Sequence, residues 1–190
     1  MKQKIYLITG LMASGKSTVS DLLAKSIEKC VHLRGDVFRK MIISGRENMS
    51  ATPSAEAVRQ LYLRYKLTAD AARSYFDNGF SVVIQDNYYG DELNRMINYL
   101  HKYPVEVVVL CPDVETIKER ERYREKTGYS GFTVETLYDT FMQTTPRIGF
   151  WLDNSNQTPQ QTVETILNTR KPVLLLHIRG RKISFKYLLS

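Results

Sequence analysis

The chain has 190 residues, of which 43% are hydrophobic and 25% charged, with two cysteines and a formal net charge of +7. That is the length of one α/β domain with a sizeable core and the composition of a soluble globular protein. No apolar run approaches the roughly 20 residues a membrane helix needs. The opening MKQKIYLITG is too polar and too short of apolar length for a signal peptide. The positive balance suits polyanionic partners, a nucleotide or a nucleic acid, and equally suits general solubility. Cys30 and Cys111 lie beside apolar runs at no metal spacing. They read as reduced core thiols of a cytoplasmic protein.

In chain order, Ile5 to Ile8 is an apolar run that reads as a short buried strand. Gly10-Leu11-Met12-Ala13-Ser14-Gly15-Lys16-Ser17 then fits G-x-x-x-x-G-K-[ST] at every fixed position, and Val19, Leu22, Leu23 and Ile27 recur at helical spacing. Strand, glycine loop and helix in that order is the setting of a phosphate-binding loop. Glycines let the backbone turn tightly and bring N–H groups against phosphate oxygens. The helix start adds unpaired N–H groups and a positive dipole end. The amides from Gly10 to Thr18 are therefore expected to wrap a triphosphate. Gly10, Ala13, Ser14, Gly15, Lys16, Ser17 and Thr18 are the candidate nucleotide-binding residues. Lys16 would reach the β- and γ-phosphates, and the Ser17 hydroxyl would be a ligand for Mg²⁺.

A second strand is expected at Cys30–Leu33, then a helix from about Val37 to Ser44 and a polar loop from Gly45 to Pro53. A long helix runs from about Ser54 to Asp77, with apolar positions Val58, Leu61, Tyr65, Ala69, Ala72 and Phe76, and Asn78-Gly79 stops it. Ser81–Gln85 is the third strand, Asp91–Lys102 a helix, and Val105–Leu110 a fourth strand apolar enough to be covered on both faces. A charged helix follows over Asp113–Lys126, broken by Thr127 to Gly131. After it come a helix from Thr133 to about Thr144, a short strand Phe150–Leu152 and a helix Pro159–Asn168. Strand and helix alternate, so the expected fold is α/β: three layers around a five-stranded, mostly parallel sheet. Residues 1–170 would form that domain, with a lid around 118–131. Residues 171–190 would add a C-terminal β-hairpin with a basic turn.

In such sheets ligands bind beyond the carboxyl ends of the strands. Asp36 follows the second strand. It has two readings: a base that takes the proton of an attacking hydroxyl, or an N-cap for the helix at Val37. Arg39 would share its helix face and hold an acidic or hydroxylated acceptor. Asp86 ends the third strand, where it could hold Mg²⁺ or simply make a turn. Tyr88 could wall the acceptor pocket or lie on the surface of that turn. Arg120 and Arg124, four apart, could stabilise transferred phosphoryl charge or stack on adenine from a lid; the alternative is a solvated, salt-bridged face.

Taken together, GLMASGKST, LRGDVFRK, VVIQDNYY, VVVLCPDVETIKERERYR and LDNSNQTPQQTVETIL resemble the P-loop small-kinase group over residues 4–168. That group includes polynucleotide 5′-hydroxyl kinases, gluconate kinases, chloramphenicol phosphotransferases and zeta-toxin-like kinases. The resemblance implies a P-loop NTPase fold, ATP and Mg²⁺, and Asp36 as catalytic base. It also implies Arg120 and Arg124 on a lid, and Asp153-Asn154-Ser155 near the adenine. Gln85 stands where many members carry a second acidic residue, and the C-terminal hairpin is not a feature of the group. The expected reaction moves the γ-phosphoryl of Mg·ATP to a hydroxyl of a small molecule. The alternatives are 5′-phosphorylation of nucleic acid and a nucleotide-binding regulatory module without turnover. The acceptor, the choice between ATP and GTP and the oligomeric state are not legible.

Overall fold

The fold is taken from a computed structural model, which describes residues 2–50, 52–123 and 133–169. Its elements are β1 (Ile5–Gly10), α1 (Lys16–Lys25), β2 (Cys30–Arg34), α2 (Gly35–Lys40), α3 (Ala55–Asp77) and β3 (Ser81–Gln85). They continue with α4 (Asp91–Tyr99), β4 (Val105–Leu110), α5 (Val114–Arg122), α6 (Val134–Thr144), β5 (Phe150–Leu152) and α7 (Pro159–Asn168). The five strands lie in the order β2-β3-β1-β4-β5, and every pairing is parallel. Parallel neighbours need crossover connections, and each one here carries a helix. The expected three-layer α/β architecture is therefore present. The expected hairpin at 171–190, the break at 127–131 and Arg124 fall outside the described residues.

Period-two alternation along the strands builds two cores. Ile5, Leu7, Val82, Ile84, Val105, Val107 and Val109 face Tyr65 and Ala69 of α3, Leu93 and Met96 of α4, Ile117 of α5 and Phe141 of α6. Tyr6, Ile8, Val83, Val108 and Leu110 face Val19 and Leu23 of α1 and Val163 and Ile166 of α7. Burying each such aliphatic side chain is worth about 1.5–3 kcal/mol. The helix starts are set locally. Ser54, Asp113, Thr133 and Thr158 each accept a first-turn amide, and Thr158 forms a reciprocal capping box with Gln161. Among the described residues, no helix is long and apolar enough to cross a membrane.

Three helices differ from expectation at their ends, and one of them, α4, stops at Tyr99 rather than Lys102. α2 begins at Gly35, two residues early, and stops at Lys40, because the chain beyond it is drawn toward α3. There Gln60 Nε2 donates to Gly45 O (2.7 Å) and Gln60 Oε1 accepts from Glu47 N (2.9 Å). The helix expected over Asp113–Lys126 is described only as far as Arg122.

Candidate active site

The loops after β1, β2, β3 and β5 meet around a cleft of about 570 Å³. The β1 loop supplies one wall. Gly10 (φ 142°), Ala13 (φ 62°) and Gly15 (φ 95°) give it left-handed turns, and a β-carbon on Gly10 would lie 2.2 Å from Leu110 O. Only glycine allows β1 to run this close to β4. α1 then starts on Gly15, and no side chain caps its first turn. Lys16 is 6% exposed, and its Nζ donates to Gly10 O (2.7 Å) and Leu11 O (2.6 Å). The Ser14 hydroxyl is buried without a partner among the described residues. A first turn without a side-chain cap, left-handed loop positions and an orphaned hydroxyl fit a polyphosphate.

The opposite wall carries two carboxylates. Asp86 is 6% exposed; its Oδ1 accepts from Asn87 N (2.8 Å), and Arg64 Nε lies 3.0 Å from Oδ2 at an angle that is not a hydrogen bond. Burial pushes its pKa up, against the pull of Arg64, the Asn87 amide and Lys16. Asp36 sits in the first turn of α2 with its side chain 41% exposed. It does not cap the helix: Arg34 holds the N-cap position, and no side chain bonds there. Lys40 Nζ is 2.8 Å from Asp36 Oδ2 and Arg34 Nε 3.9 Å from Oδ1. Burial pushes the Asp36 carboxyl up. The hydrogen bond from Lys40 and the charges of Lys40, Arg34 and Arg64 outweigh it, so the carboxyl sits below the ordinary value. No group of three or more His, Cys, Asp or Glu side chains among the described residues is placed to hold a metal. Ser17, Asp36, Gln85 and Asp86 all line the cleft with oxygen-bearing side chains, the ligand type that Mg²⁺ takes one or two at a time beside substrate phosphates.

The third wall is a clamp on the P-loop. Ser14 O accepts from Asn154 Nδ2 (3.1 Å) and Arg120 Nη1 (3.3 Å), and Arg120 Nη2 donates to Asn154 O (2.9 Å). α5, the loop after β5 and the P-loop are thus joined through one buried carbonyl. Asp153 does not line the cleft; its Oδ1 accepts from the Ser155 amide (2.9 Å) and hydroxyl (2.5 Å).

Residues 5–144 match the family model described as AAA domain. The chain belongs to the AAA domain family. No curated protein matches it in sequence. Among solved structures it is similar to a sugar kinase from a Janibacter species, with 20% identity, 87% of this chain and 92% of that one covered, and a TM-score of 0.63. It is also similar to the tunicamycin resistance protein of Deinococcus radiodurans (16% identity, 87% and 94% covered, TM-score 0.65). A chain of an RNA repair complex matches at 20% identity over 75% of this chain and 45% of that one, with a TM-score of 0.59. The likeness is one of fold, the P-loop NTPase α/β fold.

Within this AAA domain the cleft gathers Ala13, Gly15, Lys16, Ser17, Thr18, Asp36, Asp86, Arg120 and Asn154. Of the expected residues, Gly10 and Ser14 lie in the loop behind the lining, Asp153 does not line it, and Arg39 and Tyr88 are held elsewhere. Arg39 turns to the loop after α2, where its Nη2 donates to Asn48 Oδ1 and Glu47 O, and Arg34 and Lys40 line the cleft instead. Tyr88 is neither pocket wall nor surface residue: it is 0% exposed and packs on Tyr65 with ring centroids 4.9 Å apart. The cause is a link across 79 residues, Tyr88 N donating to Thr9 Oγ1 (2.9 Å) and Thr9 Oγ1 to Tyr88 O (3.2 Å), which folds the turn onto β1.

Sequence reasoning missed Arg64. A signal existed: Gln60, Arg64 and Thr68 recur every four residues, a polar stripe on α3 beside its apolar face, and all three are largely buried. Gly35 was missed too, because its importance lies in what it touches.

Proposed function

We propose that this AAA domain is an ATP-dependent kinase that transfers the γ-phosphoryl of Mg·ATP to a hydroxyl of a small-molecule acceptor. The observation that carries the reading is that Asp36 opens into the same cleft as Lys16, Ser17 and Asp86. A carboxylate is thus available on the acceptor side of a phosphate-binding loop. The loop amides and Lys16 hold the phosphates. Ser17 and Asp86 would hold Mg²⁺, which when bound neutralises charge on the phosphate oxygens. Arg120, fixed to the P-loop carbonyl, belongs to nucleotide binding. Asp36 Oδ1, the oxygen that Lys40 leaves free, accepts the proton of the acceptor hydroxyl. The acceptor oxygen gains the phosphorus, the bond to the β–γ bridging oxygen breaks, and ADP leaves. The lowered pKa of Asp36 is compatible with this role, since a loose phosphoryl-transfer transition state asks little basicity of its base. The sugar kinase among the similar folds supports a small hydroxylated acceptor. The RNA repair chain and the +7 charge support a second reading, 5′-phosphorylation of nucleic acid.

The test is a labelled-ATP screen against hydroxylated metabolites, antibiotics and 5′-hydroxyl oligonucleotides, run with the wild type and Asp36→Asn. Transfer in the wild type is expected to fall by roughly 10²–10⁴ in the variant while ATP affinity holds. Equal, acceptor-independent hydrolysis by both proteins overturns the kinase and favours a nucleotide-binding regulatory module.

A further inference from the structure

Gln85 ends β3 on the cleft, one residue before Asp86, and the proposed reaction leaves it unused. A primary amide has two ends of opposite chemistry: its oxygen only accepts hydrogen bonds and its nitrogen only donates them. Here the oxygen end is turned inward. Gln85 Oε1 is buried with no partner among the described residues, while Gln85 Nε2 is left to face the cleft.

Behind the amide stands His32 of β2. β2 and β3 pair with Arg34 opposite Gln85 and His32 opposite Val83, so His32 lies two residues below Gln85 on the same face of the sheet. His32 Nε2 is also buried without a partner among the described residues. Burial, then the charge of Arg34, pushes the His32 pKa down; Asp21 and Gln85, the latter as a hydrogen-bond partner, pull against them. The ring is therefore neutral and carries one N–H. Its Nδ1 is 4.0 Å from Asp21 Oδ1, too far for a hydrogen bond. Gln85 Oε1 is the acceptor left for that proton. Buried polar atoms without partners are rare, and here a donor and an acceptor lie on neighbouring strands.

α1 gives the height of this pair. Ser17, at the cleft, and Asp21, beside His32, are four residues apart on one side of that helix. Four residues of helix and two of strand both rise about 6 Å. Gln85 thus stands level with Ser17, at the phosphate end of the cleft. Phosphoryl oxygens accept hydrogen bonds, so the nitrogen end of the amide suits them and the oxygen end does not.

We infer, resting on the kinase reading, that Gln85 is a further catalytic residue, its Nε2 donating a hydrogen bond to an oxygen of the phosphoryl group in transfer, and that His32 is the positioning residue that keeps the amide oxygen inward. A donor fixed before the reaction stabilises that group without reorganising, and no proton moves.

The experiment measures transfer to the best acceptor in the wild type, Gln85→Met, Gln85→Glu, His32→Leu and His32→Gln. Calorimetry adds the affinities for a non-hydrolysable ATP analogue and for ADP with aluminium fluoride, which mimics the phosphoryl group in flight. Gln85→Met keeps the length of the side chain and loses the donor. It should lower kcat by about 10–100-fold and weaken the aluminium fluoride complex by the same factor, with the ATP analogue and the acceptor KM little changed. His32→Leu should follow in smaller measure, and His32→Gln, which restores a donor, should recover most of the loss. A purely structural role would move stability and leave the ratio of the two affinities alone. Wild-type kcat in Gln85→Met, a loss carried by acceptor KM alone, or a Gln85→Glu variant that matches the wild type at lower Mg²⁺ overturns the inference and leaves a kinase. His32→Leu at wild-type values, or a loss that His32→Gln does not recover, overturns the positioning role. If no acceptor is phosphorylated, the kinase reading falls and the binding arm decides the contact. A weaker aluminium fluoride complex in Gln85→Met then upholds it, and equal affinity sinks both.

Discussion

Gly35 and Asp86 are packed so closely that a β-carbon on Gly35 would lie 2.1 Å from Asp86 Oδ2. This contact seats the first turn of α2 against the end of β3 and so sets Asp36 beside Asp86. Gly35→Ala must push the buried carboxylate aside. Displacements of about 1 Å at a reacting site cost on the order of 10²-fold in rate. The expected result is a folded protein, destabilised by about 1–3 kcal/mol, that binds ATP but has lost most phosphoryl transfer and needs more Mg²⁺. Wild-type transfer and Mg²⁺ dependence in this variant would remove Asp86 from the mechanism.

The acid limb of the pH–rate profile should report Asp36. Its folded pKa lies below the ordinary carboxylate value, so the proposed base is ionised through neutrality and activity is expected to fall only in acid. The same shift stabilises the fold above the unfolded pKa, and that stability is lost as pH drops through the lowered folded pKa. Lys40→Gln leaves burial, which raises the pKa, less opposed. The limb of kcat/KM should therefore move to higher pH. A limb that stays in place means another group controls it.

Ser14 O depends on two donors, Asn154 Nδ2 and Arg120 Nη1. Asn154→Ala removes the nearer one. The expected loss is about 1–3 kcal/mol, seen as a Tm drop of roughly 2–4 °C per kcal/mol, together with weaker ATP binding by calorimetry. If both stay at wild-type values, the clamp does not hold the P-loop.

Tyr88 and Tyr65 should answer oppositely to loss of their hydroxyls. The Tyr88 hydroxyl is buried without a partner among the described residues, and burial holds its pKa well above the ordinary value. Tyr65 donates to Asn87 O (3.0 Å). Tyr88→Phe is expected to match or exceed wild-type stability, by up to about 1 kcal/mol, and Tyr65→Phe to lose about 1 kcal/mol. Urea denaturation measures both. A clear loss in Tyr88→Phe would mean that its hydroxyl is used.

The P-loop was legible because its demands are local: left-handed backbone at Gly10 and Gly15 and uncapped helix amides at Lys16 and Ser17 restrict residue types within a few positions. The strands and most helices were legible for a similar reason. Hydrophobic period and capping residues such as Ser54, Asp113 and Thr158 act over one or two turns. Asp36 and Asp86 could be named from their places after strands. Arg39 and Tyr88 were misplaced because their surroundings come from afar: Gln60 draws in the loop that takes Arg39, and Thr9 folds Tyr88 into the core.

The sequence by itself determined a parallel α/β domain with a phosphate loop and two carboxylates at strand ends, since periodicity, turn chemistry and the alternation of strands with helices follow from neighbouring residues. Only the tertiary structure decided which charges face those carboxylates. Arg64 meets Asp86 and Arg120 meets Ser14 across many residues of chain. Electrostatic coupling and desolvation depend on separation in space, which sequence spacing does not carry.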